Sequence, residues 1–205
     1  MTQSFFYKCS TDTLTDNDGS GAIWIFGITN TLSITNNFFL SCTAKASAGA
    51  FRINSCTNKI KGPQIINNCR FIDCNATKTT PDGGAVWVRA NSELIGLTDC
   101  LFSVCNSGDN GGAFRINYIV GKSALNLIHF CFFNKNTAPH GNDVSFASFE
   151  PNNNEPVCKH CFSTSNSKLI GYYLNAVWYM TDVNWLPQGT LEIIVAPATA
   201  PVRIP

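Results

Sequence analysis

The sequence predicts an all-β chain: a parallel β-helix of about five rungs with three short strands each, followed by a less regular C-terminal rung or cap. Three observations predict it. A glycine-led motif occurs four times, as Gly21-Ala22-Ile23-Trp24-Ile25, Gly49-Ala50-Phe51-Arg52-Ile53, Gly84-Ala85-Val86-Trp87-Val88 and Gly112-Ala113-Phe114-Arg115-Ile116. A motif of Phe and Cys alternates with it. A third, weaker apolar element lies between the two.

The glycine-led motif comes first in each repeat. Its glycines, with Gly141 of a degenerate fifth copy, are 28, 35, 28 and 29 residues apart. Alternation along a strand points Ile23 and Ile25, Phe51 and Ile53, Val86 and Val88, and Phe114 and Ile116 inward. The third element is centred on Ile34, Ile66, Leu97 and Ile128. The Phe/Cys motif follows three residues later. Its third-position phenylalanines are Phe6, Phe39, Phe71, Phe102 and Phe133, at spacings of 33, 32, 31 and 31. Each segment has strand length and none has a helical period. Turn residues such as Pro81-Asp82-Gly83 and Gly108-Asp109-Asn110-Gly111 separate them. One rung cannot bury its own apolar face, so rungs stack about 4.8 Å apart and share a core.

Composition agrees. The 205 residues are 44% hydrophobic and only 13% charged, with 15 glycines. That suits packed strands and turns. The net charge of +1 gives no nucleic-acid or anionic-membrane surface. No stretch reaches the roughly 20 apolar residues of a membrane span. Residues 169–180 come nearest and are broken by Gly171 and Asn175. The first residues lack the basic and apolar regions of a signal peptide. They match a third strand with no first or second strand ahead of it, so a piece of a longer protein is expected. Residues 1–146 are assigned to the repeats, 147–195 to the irregular rung or cap and 196–205 to a Pro-rich tail.

The ten cysteines fall largely into two columns. One is Cys69, Cys100 and Cys131. The other is Cys9, Cys42, Cys74 and Cys105. Stacked side chains in an in-register ladder point the same way, so buried free thiols are expected rather than inter-rung disulfides. Cys56 stands alone in a loop. Cys158 and Cys161, with His160 between, form a single CxxC. With no second pair for zinc, it reads as a local disulfide or a packed turn.

Four sets of residues are candidates for function. Trp24, Arg52, Trp87 and Arg115 form an outward column alternating ring and cation. It reads as a ligand-binding strip, or as an exposed stabilising ladder. At the corner ahead of the Phe/Cys motif, Asn36, Asn68, Asp99 and His129 are read as a column. Asp99 beside His129 is a candidate general base, against a plain polar ladder. Asp82 and Asp109, in successive rungs before the glycine motif, are a candidate carboxylate pair for sugar hydrolysis or calcium. Asp before Gly also suits a turn. Asn75-Ala76-Thr77 fits the glycosylation pattern.

Gly83-Gly84-Ala85-Val86 and Gly111-Gly112-Ala113-Phe114, with relaxed copies at Ser20-Gly21-Ala22-Ile23 and Ala48-Gly49-Ala50-Phe51, resemble the polymorphic outer-membrane-protein repeat. Phe133-Asn134-Lys135-Asn136 keeps the Phe-x-x-Asn element of that family. Phe39, Phe71 and Phe102 are followed instead by Cys42, Cys74 and Cys105. The resemblance covers roughly residues 4–146. It implies a right-handed β-helix and an adhesive role at the cell surface or outside the cell, and it carries over no catalytic residue. The expected function is therefore non-catalytic, with no cofactor or metal and a glycan or cell-surface protein as partner. The competing class is a carbohydrate-active enzyme on the same scaffold, pectate-lyase-like or a glycosidase. An intracellular structural scaffold is the third.

Overall fold

The computed structural model describes residues 1–12, 19–26, 31–46, 48–54, 64–77, 83–89, 95–116, 128–146, 158–159, 161–165, 170–174, 177–181 and 193–195. All regular structure among them is β. Parallel strands stack into a β-solenoid, as the repeat predicts.

The glycine motif builds one sheet. Its strands are Ile23–Phe26, Phe51–Asn54, Val86–Arg89, Phe114–Ile116, Val144–Phe146 and Ile170–Leu174, all parallel. Val177–Thr181 then pairs antiparallel with Ile170–Leu174 and ends the sheet. The isoleucine sheet holds Leu32–Thr35, Gln64–Asn67, Ile95–Thr98, Ile128–His129 and Cys158–Lys159. The phenylalanine sheet holds Phe5–Tyr7, Phe38–Leu40, Arg70–Ile72, Leu101–Ser103, Phe132–Asn134, Cys161–Ser163 and Ile193–Val195. The strands Cys158–Lys159, Cys161–Ser163, Ile170–Leu174 and Ile193–Val195 thus continue three of the stacks. A fourth stack was not anticipated. It consists of the two-residue strands Ser10–Thr11, Thr43–Ala44, Asn75–Ala76 and Asn106–Ser107. Two residues are too few for any periodicity to betray.

The core follows the expected register. Phe6, Phe39, Phe71, Phe102 and Phe133 stack face to face, with centroids 4.8, 4.8, 4.8 and 5.4 Å apart and planes within 9° of parallel. Ile34, Ile66, Leu97 and Ile128 form a second buried column. Phe51, Ile53, Val86, Val88, Phe114 and Ile116 close the third side.

The glycine of the motif is required by close approach. A Cβ on Gly84 would lie 1.8 Å from the Gly112 carbonyl oxygen and 2.7 Å from the Asn106 carbonyl. The next rung crosses too near for any side chain.

Two sharp corners flank each of the phenylalanine strands from Phe38–Leu40 to Phe132–Asn134, and each uses one residue at positive φ. Asn36, Asn68, Asp99 and Phe130 hold the first corner, with φ of 58°, 48°, 53° and 50°. Ser41, Asp73, Val104 and Lys135 hold the second, at 52°, 53°, 55° and 50°. Asn and Asp tolerate this region, but a β-branched residue there is strained. Val104 is also largely exposed and buries little in compensation. Val104→Asn should therefore stabilise the protein by about 1 kcal/mol. Urea unfolding would show it as a raised midpoint with unchanged slope, and a lowered midpoint would contradict the strain.

Candidate functional site

The ring-and-cation column has the expected register. Trp24 lies opposite Arg52, Arg52 opposite Trp87, Trp87 opposite Arg115, and Arg115 opposite Ser145. Its exposure is not what alternation suggested. Trp24 is 42% exposed, but Arg52, Trp87 and Arg115 are 0%, 5% and 6% exposed. The Arg52 guanidinium lies over the Trp87 ring, 4.0 Å from its centroid, and 5.9 Å from that of Trp24. Arg115 donates a hydrogen bond to the Ser145 hydroxyl. From Phe51 to Ile53 and from Val86 to Val88 the glycine sheet is buried on both faces. Arg52 thus makes cation–π contacts with both neighbouring rings, three of the four column residues are buried, and Trp24 is the exposed end.

Asp99 and His129 do not share a column. Thr98 is opposite His129, which places Asp99 opposite Phe130. The single link between the two is the Asp99 backbone N–H, which donates to the His129 carbonyl at 3.1 Å. The expectation fails by one residue of register, and with it the proposed general base. The corner column is instead a polar ladder where Asn68 Nδ2 donates to Asn36 Oδ1 at 2.7 Å.

Asp82 lies outside the described residues. Asp109 is half-buried. It accepts from Asn110 Nδ2 at 2.8 Å and stands 3.5 Å from His140 Nε2. Asn110 and His140 are bridged as register partners. Asp82 directly precedes Gly83, whereas Asp109 stands two residues before Gly111. Counted from the paired glycine motifs, the two acids are therefore out of step by one position.

Both cysteine columns are present as free thiols. Cys161 extends the first, opposite Cys131, so it is not part of a local CxxC disulfide. Cys56 and His160 lie outside the described residues. The thiols of Cys42, Cys69, Cys74, Cys100, Cys105 and Cys131 are each shared between two carbonyls, one two residues back and one in the rung before, and Cys161 reaches the Ile128 carbonyl of the rung before. Cys74, for example, reaches Ile72 at 3.5 Å and Phe39 at 3.7 Å. Contact with Cys74 and burial push Cys42 far above the ordinary thiol range, and burial does the same at Cys131. These thiols stay protonated.

Asparagine takes over at one end of each column. Asn37 precedes Cys69 and donates to the Thr35 and Met1 carbonyls. Asn136 follows Cys105, donates to the Phe102 carbonyl at 3.3 Å and accepts the Cys105 N–H at 2.9 Å. Thiol and amide do the same work here: a polar tip aimed at the carbonyl of the rung before.

The sequon asparagine is engaged as well. Asn75 Nδ2 donates to the Asp73 carboxylate at 2.9 Å, and Asn75 Oδ1 accepts from Asn106 Nδ2 at 2.8 Å. It is a rung in a polar ladder rather than a free acceptor.

One polar cluster was not foreseen. Asp143 occupies the position that Ala22, Ala50, Ala85 and Ala113 fill in the other rungs, and it is buried. Ser163 stands where the ladder has Phe133. Asp143 accepts from Asn136 Nδ2 at 3.0 Å, from the Ser163 hydroxyl at 2.6 Å and from the Ser165 hydroxyl. Burial outweighs the three donors and pushes its carboxyl up to about 6. The departure of Gly141-Asn142-Asp143 from Gly-x-Ala was the signal in the sequence.

The raised carboxyl sets a direction for pH dependence. The folded state holds this proton more tightly than the unfolded chain, so Asp143 favours folding most below pH 3.8 and loses that advantage as pH rises to about 6. The loss is on the order of 3 kcal/mol. Asp143→Asn, with Ser163 turned to accept, should remove it. The stability difference between variant and parent, measured by denaturant titration from pH 4 to 7, should grow in favour of the variant. A pH-independent difference would show that the acid is not buried as described.

No family model, no curated protein and no solved structure matches the chain, and the roles of these residues rest on their geometry.

Proposed function

We propose that the chain is a non-catalytic β-helix repeat protein, a piece of an adhesin-like protein of the cell surface, which binds a protein partner through the outer face of its phenylalanine sheet. One observation carries this reading. That face presents Phe5, Phe38 and Leu101 in one column and Tyr7, Leu40 and Ile72 in the next, each at least partly exposed. Contiguous exposed apolar surface on a rigid scaffold is what an interaction site looks like. Arg70 lies exposed within the first column. Aromatic residues and Arg are the types enriched where proteins meet. The glycine sheet, by contrast, is buried on both faces from Phe51 to Ile53, Val86 to Val88 and Phe114 to Ile116, and among these strands it offers little to a partner. The resemblance of the glycine repeats to those of surface adhesins supports the location.

The competing class, a carbohydrate-active enzyme, draws on Asp109 beside His140. Glycoside hydrolysis uses two carboxylates flanking the bond, and among the described residues this corner supplies one.

Binding to a panel of displayed cell-surface proteins and to a glycan array tests the assignment, with thermal melts alongside. Leu101→Asp should abolish protein binding and leave the melt nearly unchanged. Trp87→Ala should cost about 3–5 kcal/mol of stability, as a buried large-to-small change, and leave binding by the folded fraction intact. Loss of binding in Trp87→Ala but not in Leu101→Asp would move the site to the other sheet. Turnover of pectin abolished by Asp109→Asn would replace the reading with the enzymatic one.

A further inference from the structure

The outer face of the phenylalanine sheet has a definite width, period and charge. In each three-residue strand the ladder phenylalanine points into the core, and the first and third residues point out. Phe5, Phe38, Arg70 and Leu101 form one outward column, beside that of Tyr7, Leu40 and Ile72. Phe5 stacks on Phe38 at 5.2 Å and lies 6.2 Å from Tyr7, so one end of the face is a packed aromatic group. Arg70 is exposed and interrupts the apolar column, with Phe38 in the rung before and Leu101 in the rung after. Among the described residues neither column holds an acid. Asp73, three residues along, accepts instead from Ser41 and Asn75, both at 2.9 Å. No ion pair among the described residues involves Arg70.

Width, period and charge together select the partner. Three residues of strand span about 10 Å, the diameter of one α-helix. Rungs repeat every 4.8 Å or so and helical turns about every 5.4 Å. A helix laid along the stack therefore drifts from the columns by only about 2 Å over three rungs. An extended strand laid the same way repeats its side chains about every 6.6 Å and falls out of step within two rungs. Covering the guanidinium without an opposite charge is costly, so the partner supplies an anion. A second copy meeting the face across a two-fold axis at its centre would set Arg70 against Arg70 with no acid between them.

We infer that this face binds an amphipathic α-helix of a partner protein, whose apolar stripe carries one acidic residue seated opposite Arg70. The inference rests on the reading of the face as a protein-binding surface. With the acid at position i, the helix residues at i±3 and i±4 lie one turn away, against Phe38 and Leu101. A residue seven positions from the acid lies two turns away, against Phe5. Tyr7, Leu40 and Ile72 flank the helix along its other side. The carboxylate meets the planar Arg70 guanidinium, whose paired N–H donors match its two oxygens. Apolar side chains on either side exclude water from that pair and strengthen it.

Designed helical peptides of about 18 residues test this on the whole chain, with binding followed by fluorescence anisotropy. One has Leu at i±3, i±4 and i±7 around a central Glu, with polar uncharged residues elsewhere. The other differs only in a central Lys. The Glu peptide should bind the parent about tenfold more tightly than the Lys peptide. Arg70→Glu, at an exposed position, should keep its β circular dichroism and reverse that order. Leu101→Asp should abolish binding of both. An order that Arg70→Glu leaves unchanged, binding that survives Leu101→Asp, or no binding of either peptide would overturn the inference. Binding of displayed proteins that Leu101→Asp abolishes, with neither peptide bound, would strike the acidic helix alone and leave the face an interface. Loss of both would remove the face as well.

Discussion

Everything in this molecule depends on rungs that stack in register with a period of about 31 residues. The phenylalanine ladder is where the constraint is most visible. Five rings lie nearly parallel at 4.8–5.4 Å, close to the strand spacing itself. A ring can stack on its neighbour only if each rung returns to the same place. The glycine motif enforces the same return from the other side, since the Gly84 Cα touches the backbone of the following rung. Corner residues at positive φ turn the chain at fixed points, and the thiols tie each rung to the carbonyls of the one before. None of these devices works alone. Each supposes the register that the others maintain.

The columns change character towards the C-terminal end. Phe gives way to Ser163, Ala to Asp143 and Cys to Asn136 within one rung step. The apolar columns are interrupted there by a polar cluster whose groups satisfy one another. Beyond it, Val177–Thr181 pairs antiparallel and breaks the pattern that would let the glycine sheet continue. At the other end, Phe6, Ile23, Ile25 and Leu32 are only partly buried, and the second thiol column opens there.

Much of the fold was legible in the sequence because columns are legible. Even spacing located Phe39, Phe71 and Phe102, and alternation assigned Val86 and Val88 to the inside, all correctly. The sites were less legible, for distinct reasons. Alternation tells which face Arg52 and Trp87 take but not whether that face is covered, and here it is. Asp99 and His129 were separated by one residue of register, which in a strand changes every neighbour. Asp82 and Asp109 stand at different distances from their glycines, so shared turn chemistry resembled a shared site. Asp143 was hidden in a copy of the motif that looked merely degraded. The two-residue stack at Thr43–Ala44 was too short to carry a pattern.

The register of the phenylalanine sheet is the claim on which the rest stands, and paired alanine substitutions test it most directly. Phe71→Ala and Phe102→Ala remove rings from the buried ladder, so each should cost about 3–5 kcal/mol in equilibrium unfolding. Phe38→Ala and Phe132→Ala remove partly exposed rings from the opposite face of the same strands and should cost clearly less. Equal losses in the two sets, or the reverse order, would place the strands one residue out of register and contradict the account.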